Sequence, residues 1–191
     1  MKKLGPIKIV HFALIALLMA FSVYSAIRMF SGAAEANRTM MILYGIVNVI
    51  NICALCASAV YLWNSYGKQA ANWYKAFLYL NVVVTLLLLV VDIFYIPVNF
   101  VLISSIILLA VKAAALLVLV FKKDLGKKNT WIVFYVLLGL DVVLIVLTFI
   151  NVTRDSLVFM IHGSASRLIN DLTIALAIRG KYADKEKRGS K

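Results

Sequence analysis

The chain has 191 residues, of which 64% are hydrophobic and only 15% are charged, and its mean hydropathy is +0.97. Soluble domains are about 45–50% apolar and about 25% charged, so a soluble fold of this composition would leave apolar surface in water. Disordered chains are poor in apolar residues, which excludes that class too. We therefore predict an all-α, polytopic integral membrane protein. The net charge of +12 raises nucleic acid as a partner.

Apolar runs that can cross a bilayer occur six times along the chain. A helix needs roughly 20 apolar residues to span the hydrocarbon core. The predicted spans are 9–27, 40–63, 76–96, 98–121, 131–150 and 157–178. They form one bundle and a single membrane domain over residues 1–180, followed by a basic tail over 181–191. Gly126 suits the left-handed conformation that ends a helix, so we expect the fourth span to stop there.

Basic residues gather at one side of the predicted bundle. Fifteen of the twenty lysines and arginines precede the first span, separate the second from the third and the fourth from the fifth, or follow the sixth. Cytoplasmic segments carry this excess, so both termini are predicted to be cytoplasmic. Orientation thus explains the charge without nucleic acid, and anionic inner-leaflet lipid is the expected partner of these loops and the tail. The lysine-rich start favours the bacterial cytoplasmic membrane.

Two of the six spans have an alternative interpretation. The first resembles a signal peptide with a cleavage site near Ala34–Ala36, but its run of 19 apolar residues exceeds the usual length of about 7–15. We therefore predict an uncleaved helix. The sixth run could instead lie in the membrane interface, which would leave the basic tail on the outer side. The distribution of charge favours a true span.

Six polar or charged residues lie near the predicted midplane. A charge at the centre of a membrane helix costs about 2.5–3.5 kcal/mol on insertion scales, so such residues face the bundle interior. Counting 1.5 Å per residue puts five of them, all but Asn170, roughly 12–20 Å from the cytoplasmic ends of their helices. We predict that the six line a path for a substrate or an ion. They are Asn51, Lys112, Asp141, Arg167, Asn170 and Asp171.

A structural interpretation of the same layer stays open. Lys112 with Asp141, and Arg167 with Asp171, would then be buried pairs that fix the register of the helices. Arg167 and Asp171 are four residues apart on one helix, a spacing that allows pairing along one face.

Two further polar residues are predicted near the outer surface. Asp92 lies five residues before Pro97, roughly 13 Å from the level of Lys112, which is too far for easy pairing. His162 lies near the outer end of the sixth span. We predict an outer vestibule that contains both side chains.

Catalytic motifs are missing from the sequence. Cys53 and Cys56 form a Cys-x-x-Cys motif inside a span, where small residues that let helices approach closely are the plainer interpretation. His11 and His162 fall on opposite sides of the membrane and cannot share a metal. No HExxH, GxSxG or P-loop pattern occurs. We predict no enzyme activity, no cofactor and no metal.

The segment Ala16-Leu17-Leu18-Met19-Ala20 in the first span carries two alanines four residues apart. It is similar to the small-residue motif with which the substrate-binding components of vitamin-uptake transporters dock on their partner. The resemblance covers this one helix, and it implies a partner membrane subunit on the face of Ala16 and Ala20.

Taken together, these features favour a solute transporter, or the solute-binding subunit of a transport system, with a polar site at the membrane midplane. The alternative is a non-transporting membrane module, such as a sensor, an accessory subunit or an assembly subunit, whose buried charges only pair helices.

Overall fold

The computed structural model describes residues 6–31, 38–63, 68–95, 100–122, 125–150 and 157–189, and side chains are described over 8–31, 38–63, 72–94, 100–122, 125–150 and 160–179. Each predicted span coincides with one helix. Five of the six helices are long and apolar enough to cross a membrane, and α6 is not among these five. The chain is thus an all-helical, multi-pass membrane protein. The helices are α1 (Pro6–Ser31), α2 (Arg38–Trp63), α3 (Lys68–Tyr95), α4 (Phe100–Phe121), α5 (Gly126–Ile150) and α6 (Leu157–Gly189).

Local sequence accounts for several helix ends. Pro6 is the first residue of α1, where its missing N–H costs no hydrogen bond. Gly126 has φ of +72°, as its sequence context predicts, but it opens α5, while α4 already ends at Phe121. Helix α6 continues to Gly189, so it extends into the predicted basic tail. Pro97 and the segment 34–36 lie outside the described residues.

The six helices form a ring in chain order. Each helix packs on the next, and α6 closes the ring against α1, with a smaller contact to α2. Contacts between aromatic side chains show that neighbouring helices run antiparallel. Phe12 at the start of α1 contacts Trp63 at the end of α2, with ring centroids 6.2 Å apart. Tyr79 in the first half of α3 likewise meets Phe121 at the end of α4.

One half of this ring has a continuous apolar core. We call it the basic half: it contains the starts of α1, α3 and α5 and the ends of α2, α4 and α6, where the basic residues gather. Two clusters of buried side chains fill it, and all six helices contribute to them. Leu55, Phe77 and Leu137 at its centre are completely buried. Close packing of these clusters therefore joins all six helices in this half.

Large apolar side chains also cover the outside of every helix. Ile9, Leu17, Phe94, Phe100 and Ile150, for example, are each more than half exposed. Soluble proteins rarely show such continuous apolar surface, and in a bilayer it contacts lipid chains. The outer surface therefore fits the membrane class that the composition predicts.

Candidate functional site

A cavity of about 380 Å³ occupies the half of the bundle opposite the basic half, which we call the cavity half. All six helices contribute to its wall. It extends from the level of Lys112 toward Met29 near the end of α1, Tyr44 near the start of α2 and Met160 near the start of α6. Its polar wall is formed by Ser25, Tyr44, Asn48, Asn51, Asn81, Thr85, Lys112, Thr148, His162, Ser164, Ser166, Arg167 and Asn170.

The cavity brings together four of the six residues predicted for the midplane path: Asn51, Lys112, Arg167 and Asn170. They come from α2, α4 and α6. His162, which the sequence predicts for an outer vestibule, lines this same cavity. Distant parts of the chain therefore supply one polar surface.

The remaining predicted residues lie behind or beside that wall. Asp141 and Asp171 are buried and are not part of the lining. Asp92 lines a smaller cavity of about 190 Å³ between α3, α4, α5 and α6. Arg167 lines both cavities, so the predicted vestibule is divided between two adjoining spaces.

Lys112 and Asp141 form a direct ion pair between α4 and α5. The Lys112 Nζ donates to the two carboxylate oxygens at 2.5 and 2.8 Å. Asp141 is 1% exposed and Lys112 is 12% exposed. Charge-assisted hydrogen bonds are stronger than those between neutral groups, and here they join α4 to α5 beside the cavity.

The pair between Arg167 and Asp171, which the structural interpretation of the layer includes, does not form. Within the described part of the chain no ion pair joins them, and Nη1 of Arg167 is buried without a hydrogen-bond partner. Asp171 instead lies close to Asp141, and Oδ2 of Asp171 is buried without a hydrogen-bond partner among the described residues. The packing of α6 against α5 gives Asp171 a neighbour that helical spacing alone does not reveal, and Arg167 lies one turn nearer the cavity.

A hydrogen-bonded cluster joins α1, α2 and α6 at one side of the cavity. The Asn51 side-chain amide donates to the hydroxyls of Ser22 and Ser166, at 3.5 Å each. Ser22 also shares a hydrogen bond of 2.9 Å with Nε2 of His162. The polar side of α6 therefore faces the bundle, while its Ile161, like Leu168 and Leu172, is exposed.

A second contact joins α3 to α6 across the cavity. The Asn170 amide Nδ2 donates to Oδ1 of Asn81 at 2.8 Å, and Nδ2 of Asn81 donates to the Phe77 carbonyl at 2.9 Å. Oδ1 of Asn170 is buried and has no partner among the described residues.

Sequence reasoning missed several of these groups because it searched mainly for charge. Ser22, Ser25, Asn81 and Thr85 are neutral, yet each is polar, lies inside an apolar span and is buried. A search for every amide and hydroxyl inside the spans, scored by its depth, would have found them. Their partners on other helices would still have stayed unknown.

The histidines and cysteines do not form a joint site. His11 lies in the basic half, where Nε2 bonds the Thr173 hydroxyl at 3.0 Å, far along the bundle from His162. Cys53 is exposed and Cys56 is partly buried. Among the described residues, no three His, Cys, Asp or Glu side chains come together as a metal site.

The cavity offers a small solute one guanidinium, one ammonium that is already paired, and a wall of amides and hydroxyls. These groups bind and orient a ligand by charge and hydrogen bonding. Ser22 and His162 pair a hydroxyl with an imidazole, but Ser22 is completely buried and is not part of the cavity lining. No protein family, no curated protein and no solved structure matches this chain.

Proposed function

We propose that this protein is a small-solute transporter, or the solute-binding subunit of a transport system, and that the cavity is its binding site. The observation that carries the proposal is the cavity of about 380 Å³, to which every helix contributes and in which polar groups interrupt a largely apolar lining. Sites for small ligands usually measure roughly 300–1,000 Å³. Transporters place such sites near the midplane, between helices whose polar groups face inward. The protein acts by binding, without catalysis.

The orientation is part of the proposal. With α6 as the sixth span, both termini lie in the cytoplasm and the cavity half faces the outside of the bacterial cytoplasmic membrane. The inward-facing polar side of α6 supports its crossing the bilayer, because its low hydropathy then arises from residues that do not contact lipid. The basic half meets the anionic inner leaflet, and the exposed Trp63 and Trp73 near that end are typical of interfacial anchors.

The alternative is a non-transporting module in which buried charges only pair helices. The ion pair between Lys112 and Asp141 favours that role for these two residues. It does not account for Arg167, whose Nη1 has no partner among the described residues, or for a polar cavity at its side. A bundle that needed only helix register would be more stable with that space filled.

A partner subunit is the last element of the proposal. Ala16 and Ala20 lie on an exposed strip of α1, next to the exposed Leu17. Small residues let a second helix approach closely in a membrane, where packing drives association. This strip is the docking face that we propose for another membrane subunit.

A cavity-filling substitution tests the site. Gly163 lines the cavity, and a Cβ atom there meets nothing within 4 Å, so Gly163→Leu adds bulk without a clash at its base. Gly139 on α5 is equally free of neighbours and lies outside the lining, which makes Gly139→Leu the matched control.

The measurement is native mass spectrometry of gently extracted protein. We expect a small molecule bound to the wild type and to Gly139→Leu, and its loss from Gly163→Leu. A stoichiometric protein partner around an empty bundle in the wild type would instead support the non-transporting module.

Cysteine labelling tests the orientation. In a Cys53→Ser, Cys56→Ser background, we expect an impermeant maleimide added outside intact cells to label Ser164→Cys in the cavity wall. Ser58→Cys is the control, because Ser58 is completely buried in the basic half. Labelling of Ser164→Cys only from the cytoplasmic side would contradict the proposed topology.

A further inference from the structure

Two side chains of the cavity wall, both on α6, have a buried polar atom without a hydrogen-bond partner within the described part of the chain. These atoms are Nη1 of Arg167, a donor, and Oδ1 of Asn170, an acceptor, while a third such atom on α6, Oδ2 of Asp171, lies behind the wall. A buried polar group without a partner costs about 1–3 kcal/mol, so two such groups on one wall point to a ligand that satisfies both.

The amide of Asn170 has a fixed orientation. Nδ2 of Asn81 donates to the Phe77 carbonyl, so the Asn81 atom that faces Asn170 is the acceptor Oδ1. The atom of Asn170 that meets it must therefore be the donor Nδ2. This chain of hydrogen bonds leaves Oδ1 of Asn170 as an acceptor, and exchanging the two amide atoms would bring two oxygens together.

The two cations of the cavity wall are not equivalent. Lys112 already donates to both oxygens of Asp141. Arg167 is attracted by Asp92, Asp141 and Asp171 but forms an ion pair with none of them within 4 Å. The guanidinium is therefore the group that can bind an incoming anion, and its planar fork matches a carboxylate.

Resting on the proposed function, we propose that the solute is a small carboxylate with a hydroxyl or amino group on the adjacent carbon. Its carboxylate accepts from Arg167, and its hydroxyl or amino group donates to Oδ1 of Asn170. Residues three apart on a helix are neighbours, with Cβ atoms about 5–6 Å apart, so one small molecule reaches both. The shared chemistry covers 2-hydroxy acids and 2-amino acids.

Other small solutes satisfy this wall less well. A simple carboxylate would pair with Arg167 and leave the Asn170 oxygen without a donor. A neutral 2-hydroxy amide would satisfy Asn170 and leave the guanidinium without an anion. An amine without a carboxylate would place a third positive charge beside those of Arg167 and Lys112. The geometry therefore favours 2-hydroxy acids and 2-amino acids over these three other classes of ligand.

The test measures ligand binding by thermal stabilisation and calorimetry on the purified full chain. The probes are 2-hydroxy acids and 2-amino acids of three to six carbons, the matching unsubstituted acids, and the matching 2-hydroxy amides. The variants are Arg167→Gln and Asn170→Leu. The control is Arg179→Gln, which removes the same charge from an exposed position on the same helix outside the cavity lining.

We expect the 2-substituted acids to bind most tightly to the wild type and to Arg179→Gln. Arg167→Gln should weaken them on the order of tenfold or more, because a charge-assisted hydrogen bond is lost. Asn170→Leu should abolish the preference over unsubstituted acids and leave those acids bound.

Three results would overturn the inference. One is equal binding of amides and acids by the wild type, and another is an unchanged affinity of Arg167→Gln for the 2-substituted acids. The third is no binding by any probe. In each of these cases, a solute that co-purifies with the wild type but not with Gly163→Leu would still support the proposed function. Failure of this inference can therefore be distinguished from failure of the proposed function.

Discussion

The two halves of this bundle are made from the same six helices, but one has a packed apolar core and the other contains a cavity. In the basic half, buried side chains such as Leu55, Phe77 and Leu137 pack between the helices. In the cavity half, amides, hydroxyls and a guanidinium surround about 380 Å³ of open space. The ion pair of Lys112 and Asp141 lies between them, with the lysine in the cavity wall and the aspartate buried behind it.

This difference shows how a small membrane protein can keep a polar space without losing its fold. Close packing in one half fixes the positions of all six helices, because each of them contributes to that core. The other half can then hold unfilled space and unpartnered polar atoms. A stable half beside an open half is what a binding site accessible from one side of a membrane requires.

The largest effect is expected at the boundary between the halves. Lys112→Met should lower the free energy of unfolding by about 3–5 kcal/mol, because it removes the only cation in ion-pair contact with Asp141 among the described residues. Asp141→Asn should cost less, since Asp171 lies beside the same pair. Unfolding in mixed micelles measures both.

The double variant Lys112→Met, Asp141→Leu is the control for this prediction. We expect it to regain most of the lost stability, as apolar replacements of buried ion pairs generally do. A single Lys112→Met variant as stable as the wild type would show that the two halves do not depend on the pair.

A smaller effect is expected for two leucine substitutions, which should differ in how much they lower the free energy of unfolding. Leu137→Ala, in the centre of the basic half, should cost about 2–4 kcal/mol because it opens a void in a filled core. Leu88 lines both cavities, so Leu88→Ala only enlarges existing space and should cost less than about 1 kcal/mol. Equal losses in the same unfolding experiment would contradict the contrast between the halves.

The smallest effect concerns two threonines. The Thr173 hydroxyl bonds His11 at 3.0 Å and Ser58 at 2.9 Å, so Thr173→Val breaks two contacts between helices. Hydrogen bonds inside membranes average about 0.6 kcal/mol, which predicts a loss of about 1–2 kcal/mol. Thr148 in the cavity wall bonds the carbonyl of Leu144 in its own helix, and Thr148→Val should change stability by less than about 0.5 kcal/mol. A larger loss at Thr148 would contradict the comparison.

Much of the fold follows from simple rules. Six apolar runs predict six helices, because a bilayer sets a minimum length for every span. The ends are less accurate: α3 begins eight residues before its predicted span, and α6 ends eleven residues after its own. The meeting of Lys112 with Asp141 was also predictable from depth alone, since both lie at similar heights on helices joined by a short loop. Depth likewise indicated that Asn51 and Arg167 share this layer.

Depth did not predict the direction in which each side chain points. Arg167 and Asp171 have the right spacing for a pair, yet the rotation of α6 in the ring brings Asp171 to Asp141 and exposes Arg167 to the cavity. Asn81 escaped notice because a neutral amide is a weak signal, although it fixes the orientation of Asn170. Such relations depend on which helices are neighbours around the ring.

By itself, then, the sequence determined the membrane class, the six helices and the layer in which polar groups gather, because hydropathy and helical rise act locally along the chain. Only the tertiary structure decided that one half of the bundle is filled and the other is open. It also decided that Lys112 is paired while Nη1 of Arg167 has no hydrogen-bond partner among the described residues. The reason is physical: packing and hydrogen bonding between helices depend on their rotation and order in space, which no local pattern specifies.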